Sequence, residues 1–125
     1  MCGFVGYVDL HRDIVKEKET ILQMNNTLKK REPDEEGYYA NSHIQLGHRR
    51  LIKGGKQPMV FQYENQGYAI CYNGQLYNTE DLRKELLEIG YTFEGYSDTE
   101  VVLKGFVEFG YELPKKLNGV YSFAI

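Results

Sequence analysis

Met1-Cys2-Gly3-Phe4-Val5-Gly6-Tyr7-Val8-Asp9 opens the chain. β-Branched and aromatic residues lie between glycines, which reads as a strand. A strand from residue 2 sets Cys2 at the end of a fixed element rather than on a loose tail. Removal of the initiator methionine leaves a thiol and a free α-amine on one residue. The thiolate is a soft nucleophile. An α-amine titrates near roughly 7.7–8.0, close to what a general base needs at neutral pH. An amine that activates its own residue's side chain is a known form of nucleophilic catalysis. A small buried thiol in a first strand is the plainer structural reading of the same residues.

Working outward, Asp13 to Arg31 reads as an amphipathic helix. Ile14, Ile21, Leu22, Met24 and Leu28 fall mostly on one face. Pro33 and Gly37 break it. Gly37 to Asn41 and Ile44 to Leu51 read as short strands. Met59 to Tyr63 and Gly67 to Tyr72 form a hairpin around Glu64-Asn65-Gln66-Gly67. Asn73-Gly74 follows directly and is a turn signal in its own right. Thr79 to Ile89 is a second helix, entered at Asn78 or Thr79 and closed by Gly90. Tyr91 to Tyr96 reads as a strand. Ser97-Asp98-Thr99-Glu100 fits a capping box and opens a third helix through Phe109, closed by Gly110. A turn at Leu117-Asn118-Gly119 leads into a final strand, Val120 to Ile125. Hairpin-connected strands with three helices predict an α+β fold of mostly antiparallel sheet. The last strand stops on an apolar residue, an exposed edge if nothing follows, so the chain is expected to be the front part of a longer protein.

Composition narrows the function. The 125 residues fit one domain, 42% hydrophobic and 26% charged, as in ordinary globular proteins. Fifteen Lys and Arg against eighteen Asp and Glu leave a net charge of −3, which recommends neither nucleic acid nor an anionic membrane as partner. No apolar run approaches the roughly 20 residues of a membrane helix, and no secretory signal pattern opens the chain. Cys2 and Cys71 make no disulfide framework, and no Cys/His spacing reads as a metal site. Reduced thiols in the cytoplasm are the simpler expectation.

If Cys2 attacks a carbonyl, the tetrahedral intermediate needs an oxyanion hole. Asn73 offers an amide side chain, and Gly74 a backbone N–H open to close approach. A small zwitterion needs a cation for its carboxylate, which Arg49 or Arg50 supplies, and an anion for its ammonium, which Asp98 supplies. Each residue also has a plainer role: a turn at Asn73-Gly74, solvated strand arginines, a helix-dipole aspartate at Asp98, a packing histidine at His48, and a core thiol at Cys71.

Taken together, seven ordered blocks decide between these readings. They are Cys2-Gly-Phe-Val-Gly6, Arg31-x-Pro-Asp34 with Gly37, Leu46-Gly-His-Arg-Arg-Leu51, Gln57-Pro58, Tyr72-Asn-Gly-Gln-Leu-Tyr-Asn78, Ser97-Asp-Thr-Glu-Val101, and Leu117-x-Gly119 followed by Tyr121-x-Phe-Ala124. The chain resembles, over its whole length, the glutaminase domain of class II, N-terminal-nucleophile (Ntn) glutamine amidotransferases. Within that class it is most similar to glutamine-hydrolysing asparagine synthetases. The resemblance implies a four-layer α/β/β/α sandwich of two antiparallel sheets, incomplete at its C-terminus here. It implies Cys2 as nucleophile, with its own α-amine as base. Asn73 and Gly74 would form the oxyanion hole, Arg50 would bind the glutamine α-carboxylate and Asp98 the α-ammonium.

The implied partners are glutamine and the synthetase domain of a longer enzyme, and a homodimer is compatible with this. No cofactor is implied for residues 1–125, because ATP and Mg belong to the synthetase domain. Two positions depart from the family pattern. Gln75 replaces a glutamate that also contacts the substrate ammonium, so weaker glutamine binding is expected. Glu32 replaces a glycine. Tyr72-Asn73-Gly74 and Arg50-Leu51 argue against family branches that serve a sugar phosphate, a phosphoribosyl donor or 2-oxoglutarate. A non-catalytic, glutamine-binding remnant is the remaining alternative.

Overall fold

The computed structural model describes residues 3–31, 33–50 and 55–125. In chain order the elements are β1 (Gly3–Val8), α1 (Lys18–Asn26), β2 (Glu35–Ala40), β3 (Ile44–Arg50), β4 (Met59–Tyr63), β5 (Gln66–Leu76), α2 (Thr79–Ile89), α3 (Asp98–Phe109) and β6 (Gly119–Ala124). Among the described residues the strands form two three-stranded antiparallel sheets, ordered β1-β3-β2 and β4-β5-β6.

Strand alternation assigns each side chain to a layer. One face of β3 carries Gln45, Gly47 and Arg49 and meets α1. Gly47 lets that helix come close, because a Cβ there would lie 3.1 Å from the Asn25 side chain. Gln45 donates to the Ile14 carbonyl at 2.7 Å, and Arg49 to the Asn25 carbonyl at 2.9 Å. The other face carries Leu46, His48 and Arg50. Leu46, with Phe4, Tyr39 and Ile44, packs against Ala69 and Cys71 of β5. The opposite face of β5 presents Ile70, Tyr72 and Leu76 to Val102 and Leu103 of α3 and to Leu113. Leu82 and Leu86 of α2 pack against Val101 and Tyr91. The layers run helix, sheet, sheet, helix, which is the expected α+β sandwich. No helix among the described residues is long and apolar enough to cross a membrane.

Local signals hold where they concern caps. Ser97 Oγ accepts from the Glu100 N–H at 3.2 Å and starts α3, while Gly90 and Gly110 close α2 and α3 with positive φ. The β4–β5 hairpin turns tightly at Glu64 and Asn65, with φ of 48° and 66°, so β5 begins at Gln66.

Three expectations fail. The first helix is Lys18–Asn26 rather than Asp13–Arg31. Asp13 makes a local turn by accepting from the Val15 N–H, and Ile14 is tied to β3 through Gln45. Tyr91 to Tyr96 is not a strand. Its backbone wraps the start of α3 instead: the N–H groups of Glu94 and Gly95 donate to the Glu100 carboxylate, and Lys104 donates to the Thr92 carbonyl. Asn73-Gly74 is not a turn but lies within β5, opposite Ser122 and Tyr121 of β6. Leu51, the expected end of the third strand, lies outside the described residues, as does Glu32.

Candidate functional site

β5 carries the first part of the candidate site. Cys71, Asn73 and Gln75 share the face turned toward the first sheet. Cys71 is buried, whereas Asn73 is half-buried and Gly74 and Gln75 are exposed. Gly74 has φ of +147°, and a Cβ there would fall 2.3 Å from the Val120 carbonyl oxygen and 2.5 Å from Tyr121 Cα. Gly119 approaches β5 equally closely from the other strand: a Cβ there would fall 2.2 Å from the Gln75 carbonyl oxygen. The two glycines let β5 and β6 interlock where Asn73 and Gly74 are presented. The proximity of β6, not a reversal of the chain, explains the glycine.

β3 carries the candidate cation. Arg49 and Arg50 are adjacent but point to opposite layers. Arg49 is held by the Asn25 carbonyl, Asn26 and, at 2.7 Å, Glu36, so it fastens α1 and β2. Arg50 lies on the inter-sheet face and pairs with Glu35, its direct cross-strand partner. Neither arginine is solvated; both are buried. Gly3, the residue after Cys2, pairs with Arg49, which brings the start of β1 beside the end of β3. Cys2 itself lies outside the described residues.

His48, two residues before Arg50 on the same face, is fully buried. Burial lowers its pKa to about 4; the Tyr72 backbone partly offsets this, and the nearby Arg50 charge adds to it. It is a neutral packing histidine beside the Tyr72 backbone. Burial pushes the Cys71 thiol up to about 12, so it stays protonated and unreactive.

Asp98 is held on the helix side of β5. Its carboxylate accepts from the Leu76 N–H at 2.9 Å, from Thr79 Oγ1 at 2.6 Å and from the Tyr72 hydroxyl at 3.3 Å. Burial first, then the Asp98 charge and this hydrogen bond, raises the Tyr72 pKa. Arg50 and Asn73 thus lie on facing sheet surfaces, whereas Asp98 is anchored beneath the end of β5 by groups of the protein itself.

Four participants were not visible as such in the sequence: Glu35 on Arg50, Tyr72 and Thr79 on Asp98, and Gln57. Gln57 accepts from the Tyr72 N–H at 2.7 Å and donates to Thr99 Oγ1 at 3.2 Å, joining β5 to α3. Its carbonyl oxygen stands 1.8 Å from where a Cβ on Gly37 would be. Gly37 and Gln57-Pro58 therefore belong to one packing contact. Their presence among the ordered blocks was the available signal.

The glutamine amidotransferase domain family matches residues 1–125, the whole chain. The chain belongs to this family. The amidotransferase domain is 46% identical over 129 residues to asparagine synthetase [glutamine-hydrolyzing] 3 of Bacillus subtilis strain 168, across 100% of this chain and 21% of that protein. It is 33% identical to asparagine synthetase B [glutamine-hydrolyzing] of Escherichia coli K12, across 100% of this chain and 23% of that protein. Among solved structures, the glutamine phosphoribosylpyrophosphate amidotransferase of B. subtilis, complexed with ADP and GMP, superposes with a TM-score of 0.57. It is 29% identical, over 66% of this chain and 20% of that chain. The amidotransferase domain spans about a fifth of the length of these curated relatives, and its sandwich is the Ntn-type architecture that the sequence blocks predicted.

Proposed function

We propose that the chain is the glutaminase unit of a glutamine-hydrolysing asparagine synthetase. The carrying observation is 46% identity over the whole chain to such a synthetase. Once Met1 is removed, the Cys2 thiolate attacks the side-chain amide carbon of glutamine. Asn73 Nδ2 and the Gly74 N–H donate to the oxyanion. The carbon–nitrogen bond breaks, and the Cys2 α-amine delivers the proton to leaving ammonia. Water then hydrolyses the γ-glutamyl thioester, releasing glutamate and regenerating the thiol. Arg50 holds the α-carboxylate, Asp98 the α-ammonium, and Gln75 contributes a neutral acceptor; fixing both α-groups brings the amide to the thiol.

This half-reaction uses no cofactor. ATP and Mg belong to a synthetase domain, the partner that takes the ammonia to aspartate. The protein works in the cytoplasm, where Cys2 and Cys71 stay reduced. Glutamate release from glutamine by the Met1-processed chain is the test, with Cys2→Ala as comparison. Release that disappears in Cys2→Ala supports the reading, and undiminished release in that variant sinks the mechanism.

A further inference from the structure

We propose that Glu35 is a built-in competitor for the substrate carboxylate at Arg50 and so sets how tightly glutamine binds. The inference rests on the reading of Arg50 as the α-carboxylate anchor. Glu35 and Arg50 are direct partners in the β2–β3 register, so their side chains leave the sheet on the same face. The Glu35 carboxylate accepts from Arg50 Nη2. A carboxylate of the protein already sits on the guanidinium that the reading assigns to a carboxylate of the substrate.

The two partners differ in freedom. The Arg50 side chain is 9% exposed and the Glu35 side chain 45%. Arg50 is fixed within the central strand of its sheet, while Glu35 stands on an outer strand of that sheet among the described residues. Exchange of one carboxylate for another is therefore a movement of Glu35 into water, with Arg50 staying in place. The two residues line a cavity of about 590 Å³ together with Asp34, Lys56 and Gln57. A glutamine carboxylate arriving at Arg50 meets the negative charge of Glu35 at close range, and like charges in a partly buried site oppose each other more than in bulk water.

The neighbouring pair supplies the contrast. Glu36 and Arg49 are also cross-strand partners, but they lie on the face toward α1, where Arg49 also donates to Asn25 and Asn26. That pair fastens structure. The Glu35–Arg50 pair faces the sheet that carries Asn73.

The test is calorimetric titration of the Met1-processed Cys2→Ala chain, which does not turn substrate over, with glutamine and with its α-carboxamide analogue. Glu35→Gln is expected to bind glutamine about three- to tenfold more tightly, the scale of one partly exposed ion pair, and to bind the carboxamide unchanged. Glu36→Gln is expected to lower the melting temperature without changing the ratio of the two affinities. Weaker glutamine binding by Glu35→Gln, or an equal shift for both ligands, overturns the competitor role. The Arg50→Lys variant separates this from failure of the anchor itself. If its ratio of glutamine to carboxamide affinity matches the parent's, Arg50 does not hold the carboxylate and both readings fall; if the ratio drops while Glu35→Gln does nothing, only the competitor role is lost.

Discussion

The two sheets of this sandwich bury different chemistry. Outside β4-β5-β6 the core is hydrocarbon: Ile70, Val102, Leu103 and Leu113 are fully buried in one cluster. The ionic pair there, Glu100 and Lys104, is well provided with partners. Burial opposes the Glu100 charge, but Lys104 and the N–H groups of Glu94 and Gly95 more than offset it and keep the carboxyl below its ordinary range. The first sheet buries Gln45, His48, Arg49 and Arg50 along a single strand, and Gln45 Oε1 has no partner among the described residues. The β4-β5-β6 sheet supplies stability through its hydrocarbon layer. The first sheet spends stability to keep polar and charged side chains out of water.

Substitutions that exchange the two characters test this contrast. The largest effect is expected in the hydrocarbon layer. Leu103→Ala leaves a cavity under β5 and should lower stability by about 4 kcal/mol, within the usual range for a buried leucine; denaturant unfolding measures it, and a loss under about 1 kcal/mol would mean the cluster is loosely packed.

The first sheet should respond to acid instead. His48 titrates at about 4 in the folded chain against an ordinary value of 6.5. Between those values the unfolded chain binds a proton that the folded chain refuses. Stability is therefore whole above about pH 6.5 and falls as the pH drops toward 4, by roughly 3 kcal/mol at the limit. His48→Gln should flatten that slope, although it lowers stability at neutral pH. A slope between pH 6.5 and 4 identical in both proteins would contradict the buried neutral histidine.

The smallest of these effects belongs to the seam where the site is presented. Gly74→Ala combines an unfavourable φ with contact against the β6 backbone and should cost about 2 kcal/mol. Hydrogen exchange should quicken at residues 119–124 while the first sheet is unchanged. Uniform quickening would mean that β6 pairing supports the whole sandwich.

What was legible in the sequence was local. Ser97 with Glu100, Gly90 and Gly110 end or begin helices through bonds within a few residues, and these ends were read correctly. The failures are long-range. Tyr91 to Tyr96 alternates like a strand, but the carboxylate and ammonium of α3 capture its backbone. Asn73-Gly74 carries a turn signature, yet pairing with β6 far along the chain keeps it extended. In the candidate site, Arg49 and Arg50 are chemically alike and adjacent. Only the strand's alternation separates a helix fastener from a candidate site cation, and the resemblance singles out Arg50. Glu35 gives no local sign of its role, because its partner lies 15 residues away and depends on the β2–β3 register.

The proposed reaction turns on Cys2 as nucleophile with its own amine as base. Acid quenching of the Met1-processed chain during turnover of glutamine, followed by mass analysis of the N-terminal peptide, tests it most directly. A γ-glutamyl group on Cys2 is predicted, formed with glutamine and absent when Met1 is retained. Glutamate production without that adduct, continuing undiminished in Cys2→Ala, would contradict a Cys2 nucleophile.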